Sequence, residues 1–314
     1  MSKVLLIGST GKIGKCVLKE LLSNNFEIGL LIRNLSNREI DNSYKKLKLF
    51  EGDITVQHSL DIAIQWADVV INCAGYVSYK RNDGEKLQIS NVEGVHNIVQ
   101  ACSRFNKKLI HTSSAVIYGS AKQPILFQED KYPKEVYKSA YSNSKIEAEK
   151  IVMGSGISKI VLRPSSLISK NKSTLKNLYS FYKKGFIPGL KGGASFALIQ
   201  DAAKAYIPAL HLLLKSTVRE EMIFNLGGNN LTLKEVFERF QSIDYRKTLF
   251  IPDSIMYLLS IINDFVLFPL FKYSLITYEN YQTSSHFTFL DSTKAMRLLD
   301  YKITPFDLSL KEIM

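Results

Sequence analysis

The chain begins with a glycine-rich turn that stands between a buried strand and a helix. Val4–Ile7 is a continuous apolar run, which predicts a strand covered on both faces, and apolar residues recur at helical spacing over Lys12–Ser23. Between them, Gly8, Gly11 and Gly14 follow a G-x-x-G-x-x-G pattern. Glycine permits a tight turn and a close approach to a pyrophosphate, whose negative charge a helix N-terminus attracts. The pattern predicts a dinucleotide-binding βα unit; the alternative is an ordinary glycine-rich turn.

The first half of the chain alternates short apolar runs with amphipathic stretches. This alternation predicts an α/β fold with a doubly wound (Rossmann) parallel sheet. After residue 164 helical patterns dominate around a lone strand, Met222–Leu226. We therefore expect a Rossmann domain over residues 1–164 and a smaller, mostly helical C-terminal substrate lobe over residues 165–314, interleaved with late elements of the Rossmann domain. The other predicted strands are Ile28–Ile32, Leu47–Phe50, Val69–Asn72, Lys108–Thr112 and Lys159–Leu162, and the other predicted helices are Ser59–Trp66, Val92–Arg104 and Tyr141–Met153.

The residue after the second predicted strand bears on the choice of cofactor. Proteins that bind NAD usually place an acidic residue about 20 positions after the glycine turn, where it holds the ribose 2′-hydroxyl. This chain has Arg33 nineteen residues after Gly14. Because an arginine suits a 2′-phosphate, the sequence favours NADP, with NAD as the alternative. Asp53 follows the third strand, where it suits either a hydrogen bond from the adenine amino group or a helix N-cap.

A tyrosine and a lysine, Tyr141 and Lys145, stand one helical turn apart and therefore on one helix face. The same spacing recurs elsewhere in this lysine-rich chain, but only this pair follows the fifth strand and the serine cluster that contains Ser114. A phenol has a pKa of about 10, and a neighbouring ammonium group is expected to lower it. Serine can hold a substrate oxygen while tyrosine moves a proton and a nicotinamide cofactor moves hydride. These residues predict Ser-Tyr-Lys catalysis.

With these motifs, the chain resembles the extended short-chain dehydrogenase/reductases of the NAD(P)-dependent epimerase/dehydratase type over nearly its whole length. The resemblance rests further on Asn72–Gly75 after strand four, Asn91 in an Asn-Val-x-Gly turn, Leu162–Pro164, and Asp201. It implies that Asn91 supports the proton path and that Leu162–Pro164 closes over the nicotinamide. The residues thereby expected are, for catalysis, Ser114, Tyr141, Lys145 and Asn91, and, for cofactor binding, Gly8, Thr10, Gly11, Lys12, Ile13, Gly14, Arg33, Asp53, Ile54, Ala74, Gly75, Tyr141, Lys145 and Pro164.

Within that family, the sequence favours the branch similar to dihydroflavonol reductases and 3-beta-hydroxysteroid dehydrogenases. Gly75–Tyr79 resembles that branch, and Ala194 stands where nucleotide-sugar enzymes usually carry an arginine, seven residues before Asp201. The resemblance implies an oxidoreductase that transfers hydride from NADPH to a ketone or aldehyde on a fairly apolar small-molecule substrate. Two alternatives stay open: a nucleotide-sugar epimerase or dehydratase with retained NAD, and a non-catalytic protein that senses NADP.

The composition limits the partners and the location. The formal charge is +12, but 32 of the 41 basic residues are lysines, and base reading depends on arginine, so we expect no nucleic-acid partner. Three cysteines in apolar contexts and scattered histidines favour a reducing, cytoplasmic compartment and no metal site. No apolar run reaches the roughly 18 residues of a membrane-spanning helix. A homodimer is the assembly that the family resemblance suggests.

Two segments of the second half keep a peripheral membrane contact open. Residues 170–194 hold six lysines and no acidic residue, which suits an anionic substrate, a membrane surface or a solvated helix face. Residues 250–275 are strongly apolar and aromatic, which suits packing within the lobe, a wall for an apolar substrate, or a lipid-facing patch.

Overall fold

The computed structural model describes residues 1–34, 47–130, 139–170, 173–267 and 277–311. Its strands are β1 (Lys3–Ile7), β2 (Glu27–Ile32), β3 (Lys48–Glu51), β4 (Val69–Asn72), β5 (Lys108–Thr112), β6 (Leu126–Phe127), β7 (Lys159–Pro164), β8 (Ser166–Ile168), β9 (Phe186–Pro188), β10 (Gly193–Leu198), β11 (Glu221–Leu226), β12 (Asn229–Thr232), β13 (Leu249–Ile251) and β14 (Phe287–Leu290). Its α-helices are α1 (Lys12–Leu22), α2 (Asp61–Trp66), α3 (Gly84–Leu87), α4 (Gly94–Arg104), α5 (Ala140–Gly154), α6 (Thr174–Lys183), α7 (Ile199–Lys204), α8 (Tyr206–Lys215), α9 (Leu233–Ile243), α10 (Asp253–Ile262), α11 (Tyr278–Ser284), α12 (Thr293–Leu299) and α13 (Phe306–Leu310). Within these ranges, no helix has the length and apolar character needed to cross a bilayer.

Seven strands form a parallel sheet in the order β11-β7-β5-β4-β1-β2-β3. The direction in which strands are added reverses between β1 and β4, and ligands of doubly wound proteins bind in the crevice at that point. The predicted doubly wound fold is confirmed. The strands and helices predicted for the first half all lie within two residues of those observed, because each carries a clear apolar period.

Helices cover the sheet on both faces, and alternate residues of β1 contact the two layers. Val4 and Leu6 pack in one core with α1, α7 and α8, whereas Leu5 and Ile7 pack in the other with α2, α4 and α5. Because successive side chains of a strand point to opposite faces, a strand buried on both sides is a continuous apolar run. Each fully buried leucine contributes about 1.5–3 kcal/mol relative to an exposed one.

The C-terminal part contains more strand than the sequence predicted. β8, β10, β12 and β14 form a second sheet with β6, and β9 pairs with β13. The predicted lone strand, Met222–Leu226, lies in β11 and pairs in parallel with β7 at the edge of the main sheet. Most strands of the smaller sheets have only two to four residues, which is too short for a periodic signal.

A buried ion pair fixes α5 to β7. The Arg163 guanidinium donates to both carboxylate oxygens of Glu149, with an Nε–Oε2 distance of 3.2 Å. It also donates to the Tyr118 hydroxyl and, at 3.0 Å, to the backbone carbonyl of Glu129. Both charged side chains are buried. Such a pair is weak evidence of net stability, but removal of one partner leaves an uncompensated charge in the interior.

We expect Glu149→Ala to lower the free energy of unfolding by about 3–5 kcal/mol, because the Arg163 guanidinium would stay buried without its counter-charge. Urea denaturation measures this change. Glu147→Ala, at an exposed position of the same helix, is the matched control, and its effect should stay below about 0.5 kcal/mol. Equal losses in the two variants would contradict a stabilising role for the ion pair.

Candidate active site

The glycine turn brings the end of β1 against the end of β4. Gly8 has a φ of +83°, a conformation that favours glycine, and a Cβ there would lie 2.5 Å from the backbone nitrogen of Ala74. A Cβ on Gly14 would lie 2.0 Å from the carbonyl oxygen of Gly8. Gly11 is the N-cap of α1, whose first turn has no side-chain cap and no acidic residue. The turn thus leads into a helix N-terminus without a side-chain cap, and binding of a pyrophosphate there stays a prediction.

The other expected cofactor contacts follow the carboxyl ends of neighbouring strands. Arg33 is exposed directly after β2, and Thr10 and Lys12 are exposed on the glycine turn. The half-buried residues of this set include Ile54 after β3 and Ala74 after β4, whose backbone N–H donates to Asn72 Oδ1 at 2.9 Å. The remaining members are Ile13, half-buried in the first turn of α1, and Gly75, exposed after β4.

Asp53 does not cap a helix. Its Oδ1 accepts hydrogen bonds from the backbone N–H and the hydroxyl of Thr55, each at 2.9 Å. The next helical segment is a 3₁₀ turn whose N-cap is Val56. The N-cap alternative is therefore wrong, and the carboxylate instead closes a local turn after β3. A hydrogen bond from adenine to Asp53 stays a prediction.

Two expected residues at the end of β7 differ in what they contact. Pro164 is buried as the last residue of β7 and pairs with Leu226 of β11. Arg163 is fully buried and pairs with Glu149. Asp201, which the resemblance also singled out, accepts hydrogen bonds from the backbone N–H and the hydroxyl of Thr304, at 2.7 and 3.0 Å. The carboxylate of Asp201 thus anchors the C-terminal segment.

The structure brings Ser114, Tyr141 and Lys145 together at the carboxyl end of β5. Ser114 is the N-cap of a 3₁₀ turn, where its Oγ accepts from the backbone N–H of Val116 at 3.3 Å. Its side chain also lies close enough to Tyr141 to affect the pKa of the phenol. The Lys145 ammonium donates to the backbone carbonyl of Thr112 at 2.8 Å. Ser139 caps α5, and the helix begins at Ala140, one residue before Tyr141.

Burial controls the protonation of both α5 side chains. It raises the pKa of Tyr141 to about 12, while the neighbouring Ser114 side chain acts in the opposite direction. Burial also lowers the pKa of Lys145 to about 8, against the carboxylate of Glu149, which raises it. The expected lowering of the phenol pKa by the ammonium group thus differs from the structure, in which loss of hydration dominates. The phenol is held as a proton donor at neutral pH.

Asn91 connects the segment after β4 to α5. It lies in a π-helical segment, Gln88–Glu93, between α3 and α4. Its Oδ1 accepts from the backbone N–H of Tyr76 at 2.7 Å, and its Nδ2 donates to the Tyr76 carbonyl at 2.9 Å and to Ser144 Oγ at 3.0 Å. These bonds hold the loop that borders Tyr141, and a part in a proton path stays a prediction.

Two side chains beside Tyr141 were not predicted as site residues. The ring of Tyr79 contacts the ring of Tyr141 edge-on, with centroids 5.8 Å apart. Glu279 of α11 lies beside the Ser139 side chain and the Ala140 backbone at the start of α5; burial raises the pKa of Glu279, and these two neighbours act in the opposite direction. Its Oε1 is buried with no hydrogen-bond partner among the described residues. Tyr79 lies in a segment that the sequence singled out, whereas no local pattern indicates Glu279, since only the fold of the lobe brings α11 here.

Fold and site together define a dinucleotide-binding α/β protein with a serine, a tyrosine and a lysine at the carboxyl edge of its parallel sheet. The sequence profile of the NAD dependent epimerase/dehydratase family matches residues 4–212. The chain belongs to that family, within the extended short-chain dehydrogenase/reductases, whose members are NAD(P)-dependent oxidoreductases and epimerases.

The proteins similar to this chain include both oxidoreductases and an epimerase. The chain is 26% identical over 241 residues to an anthocyanidin reductase of Arabidopsis thaliana, covering 65% of this chain and 71% of the relative. It is 27% identical over 242 residues to a decarboxylating sterol-4-alpha-carboxylate 3-dehydrogenase of Schizosaccharomyces pombe, covering 73% and 70%. Among solved structures, a UDP-glucuronic acid 4-epimerase from Bacillus cereus with UDP-glucuronic acid and NAD gives a TM-score of 0.74 at 18% identity, covering 99% and 97%. The structure of gox2253 gives 0.78 at 21%, covering 99% and 96%. At these identities, the similarity to the two solved structures shows the fold of the chain and nothing further.

The depressed pKa of Lys145 predicts a pH dependence of stability. The ordinary lysine pKa is 10.5, so between pH 8 and pH 10.5 Lys145 keeps its proton in the unfolded chain but has released it in the folded chain. The free-energy cost of burying the ammonium group therefore disappears as the pH rises through this window. Relative to Lys145→Met, the wild type should therefore gain roughly 3 kcal/mol of unfolding free energy across this window. Urea denaturation at several pH values measures the difference. Lys150→Met, at an exposed position of α5, should leave the pH dependence unchanged; a flat difference for Lys145→Met would contradict the burial argument.

Proposed function

We propose that this protein is an NADPH-dependent reductase of a ketone or aldehyde on a fairly apolar substrate. The observation that carries the proposal is the buried Tyr141 phenol, whose pKa burial raises to about 12 and which lies beside the Ser114 side chain. A phenol in this state is a proton donor, and reduction of a carbonyl needs a donor at the oxygen that becomes negative. Lys145 stands one helical turn away with its ammonium group buried.

The residues at the carboxyl edge of the sheet fit a dinucleotide. A Cβ at Gly8 or Gly14 would overlap neighbouring backbone, so the turn is kept narrow enough for phosphates to approach its N–H groups. Arg33, exposed after β2, suits a ribose 2′-phosphate, and the described residues at this strand end offer no carboxylate for a 2′-hydroxyl. This arrangement supports NADPH over NADH. A nicotinamide bound here would supply the hydride.

Side chains of this protein orient the substrate and transfer the proton. Ser114 donates a hydrogen bond that orients the substrate carbonyl. Tyr141 transfers its proton to the carbonyl oxygen as the carbon gains hydride, so the product is an alcohol and the phenol becomes a phenolate. The Lys145 ammonium, oriented by its 2.8 Å hydrogen bond to Thr112, stabilises that phenolate. The ring of Tyr79 contacts the phenol ring, and this aromatic neighbour favours an apolar substrate.

The names of two relatives and one residue of β10 favour a reductase over a nucleotide-sugar enzyme. Two curated relatives are named a reductase and a sterol dehydrogenase, which supports hydride exchange with an apolar compound. Solved neighbours with UDP-sugars and NAD support the alternative, an epimerase with retained NAD. Ala194 is half-buried on β10 and offers no charge for a diphosphate, which favours the reductase.

We expect Tyr141→Phe to reduce turnover of carbonyl substrates by about 10²–10⁴-fold, because the variant lacks the proton donor. NADPH affinity, measured by fluorescence titration, should change little. Tyr245→Phe, at a strongly exposed tyrosine, is the matched control. Near-normal turnover of Tyr141→Phe on a panel of apolar ketones and aldehydes would rule out the assigned role of the phenol.

We expect Arg33→Ala to weaken NADPH binding by about 10–100-fold and to leave NADH binding nearly unchanged, because hydrogen bonds to a charged group are worth about 1.5–3 kcal/mol. Titration of both nucleotides measures this, with Arg297→Ala, exposed on α12, as control. Purification without added cofactor gives a second measurement. Tightly retained NAD in the purified wild type, or equal losses for the two nucleotides, would favour the epimerase alternative.

A further inference from the structure

The α10 helix turns its apolar face to solvent. An ordinary surface helix buries its apolar stripe and exposes its polar residues. In α10 the buried positions are Met256 and Ser260, and the buried Asn263 continues the same face one turn further. Large apolar residues occupy the exposed positions at spacings of three and four, among them Leu258, which is 55% exposed. The exposed members of this stripe are Ile255, Leu258, Leu259 and Ile262.

The strand before α10 extends the same surface. β13 ends two residues before the helix begins, and its Leu249 and Phe250 are more than half exposed. We call Leu249, Phe250, Ile255, Leu258, Leu259 and Ile262 the docking face. Single exposed apolar residues are normal on proteins, but four large ones on a single helix face mark an interaction surface. Residues 268–275, the end of the apolar segment noted in the sequence, lie outside the described residues.

Exposed lysines flank the β13 end of the docking face. Lys247 is exposed just before β13, and the backbone N–H of Leu249 donates to the Gly185 carbonyl at 2.7 Å, which places the exposed Lys183 and Lys184 beside it. The charge of the nearby Arg246 is balanced by Asp244, whose Oδ2 lies 2.9 Å from Arg246 Nε. The docking face is therefore bordered by three exposed lysines.

The two acidic residues nearest to the docking face are engaged with the protein. Asp253 accepts a hydrogen bond from the Tyr281 hydroxyl at 3.0 Å, and Asp264 accepts from the backbone N–H of Tyr278 at 2.9 Å. Both hydrogen bonds go to α11, so these carboxylates are held against that helix. Because the donors are neutral, both carboxylates stay charged, and two half-buried negative charges stand against three exposed lysines. The remaining excess of positive charge attracts an anionic surface.

We propose that the docking face seats this protein on the surface of an anionic lipid bilayer. The apolar side chains of α10 and β13 insert at the level of the headgroups, and Lys183, Lys184 and Lys247 contact anionic headgroups around them. The helix lies in the interface and does not span it. A second copy of this chain is the competing occupant of the docking face, and the test below distinguishes it from a bilayer.

The test is flotation of the full-length protein with vesicles of phosphatidylcholine alone or mixed with phosphatidylglycerol. We expect binding to the mixed vesicles that weakens with added salt. Leu258→Glu should reduce the partition coefficient at least about tenfold, since burial of one leucine is worth more than a factor of ten. Lys183→Glu with Lys184→Glu should reduce it on the mixed vesicles only. Ile62→Glu, at an exposed isoleucine of α2, is the matched control and should bind as the wild type does.

Two outcomes would overturn the proposal. One is absence of binding to the mixed vesicles, or binding that Leu258→Glu leaves unchanged. The other is a wild-type dimer, seen by light scattering, that Leu258→Glu converts to monomer without any vesicle binding, because the docking face would then be covered by a second copy. Thermal unfolding of Leu258→Glu checks that the variant is folded. Vesicle binding is read without catalysis, so it is independent of the proposed reductase activity.

Discussion

A connected set of buried charges holds α5 on the sheet. Arg163 of β7 pairs with Glu149, the Glu149 carboxylate acts on the Lys145 ammonium one turn earlier, and that ammonium donates to the Thr112 carbonyl of β5. Each charge is costly to bury alone and acceptable only with its neighbour. Because Tyr141 lies on the same helix, the position of the phenol relative to β5 depends on these contacts between α5 and two strands.

The parts of the fold and site that were predictable have local causes. Val4–Ile7 is apolar throughout since both faces of β1 are covered, and the glycines follow it directly because the turn lies against β4. Tyr141 and Lys145 share a helix face by spacing alone. Their approach to Ser114 was predictable because parallel strands end at one edge of the sheet. In each case a short stretch of sequence contains the whole signal.

The parts that were missed depend on contacts between distant segments. β12 pairs with β10, and β14 pairs with β6. Apart from β10, each of these strands has four residues or fewer, so the pairing and not the local sequence defines it. Glu279 reaches the N-terminus of α5 only because the lobe folds over it. The pKa of Tyr141 is a property of burial, which spacing cannot reveal, and this explains why the expected lowering gave way to a rise. The turn closed by Asp53 likewise resembled a helix cap in sequence.

The docking face and the phenol are connected through a single helix. The ring of Tyr257 on α10 lies 5.5 Å from that of Tyr281 on α11, and the Tyr281 hydroxyl bonds to Asp253. The same α11 carries Glu279, which lies beside Ser139 at the start of α5, two residues from Tyr141. A bilayer under α10 would thus lie one helix away from the site. This short separation gives one physical reason for an apolar helix face to stay uncovered: an apolar substrate of the proposed reductase would be concentrated in the same bilayer.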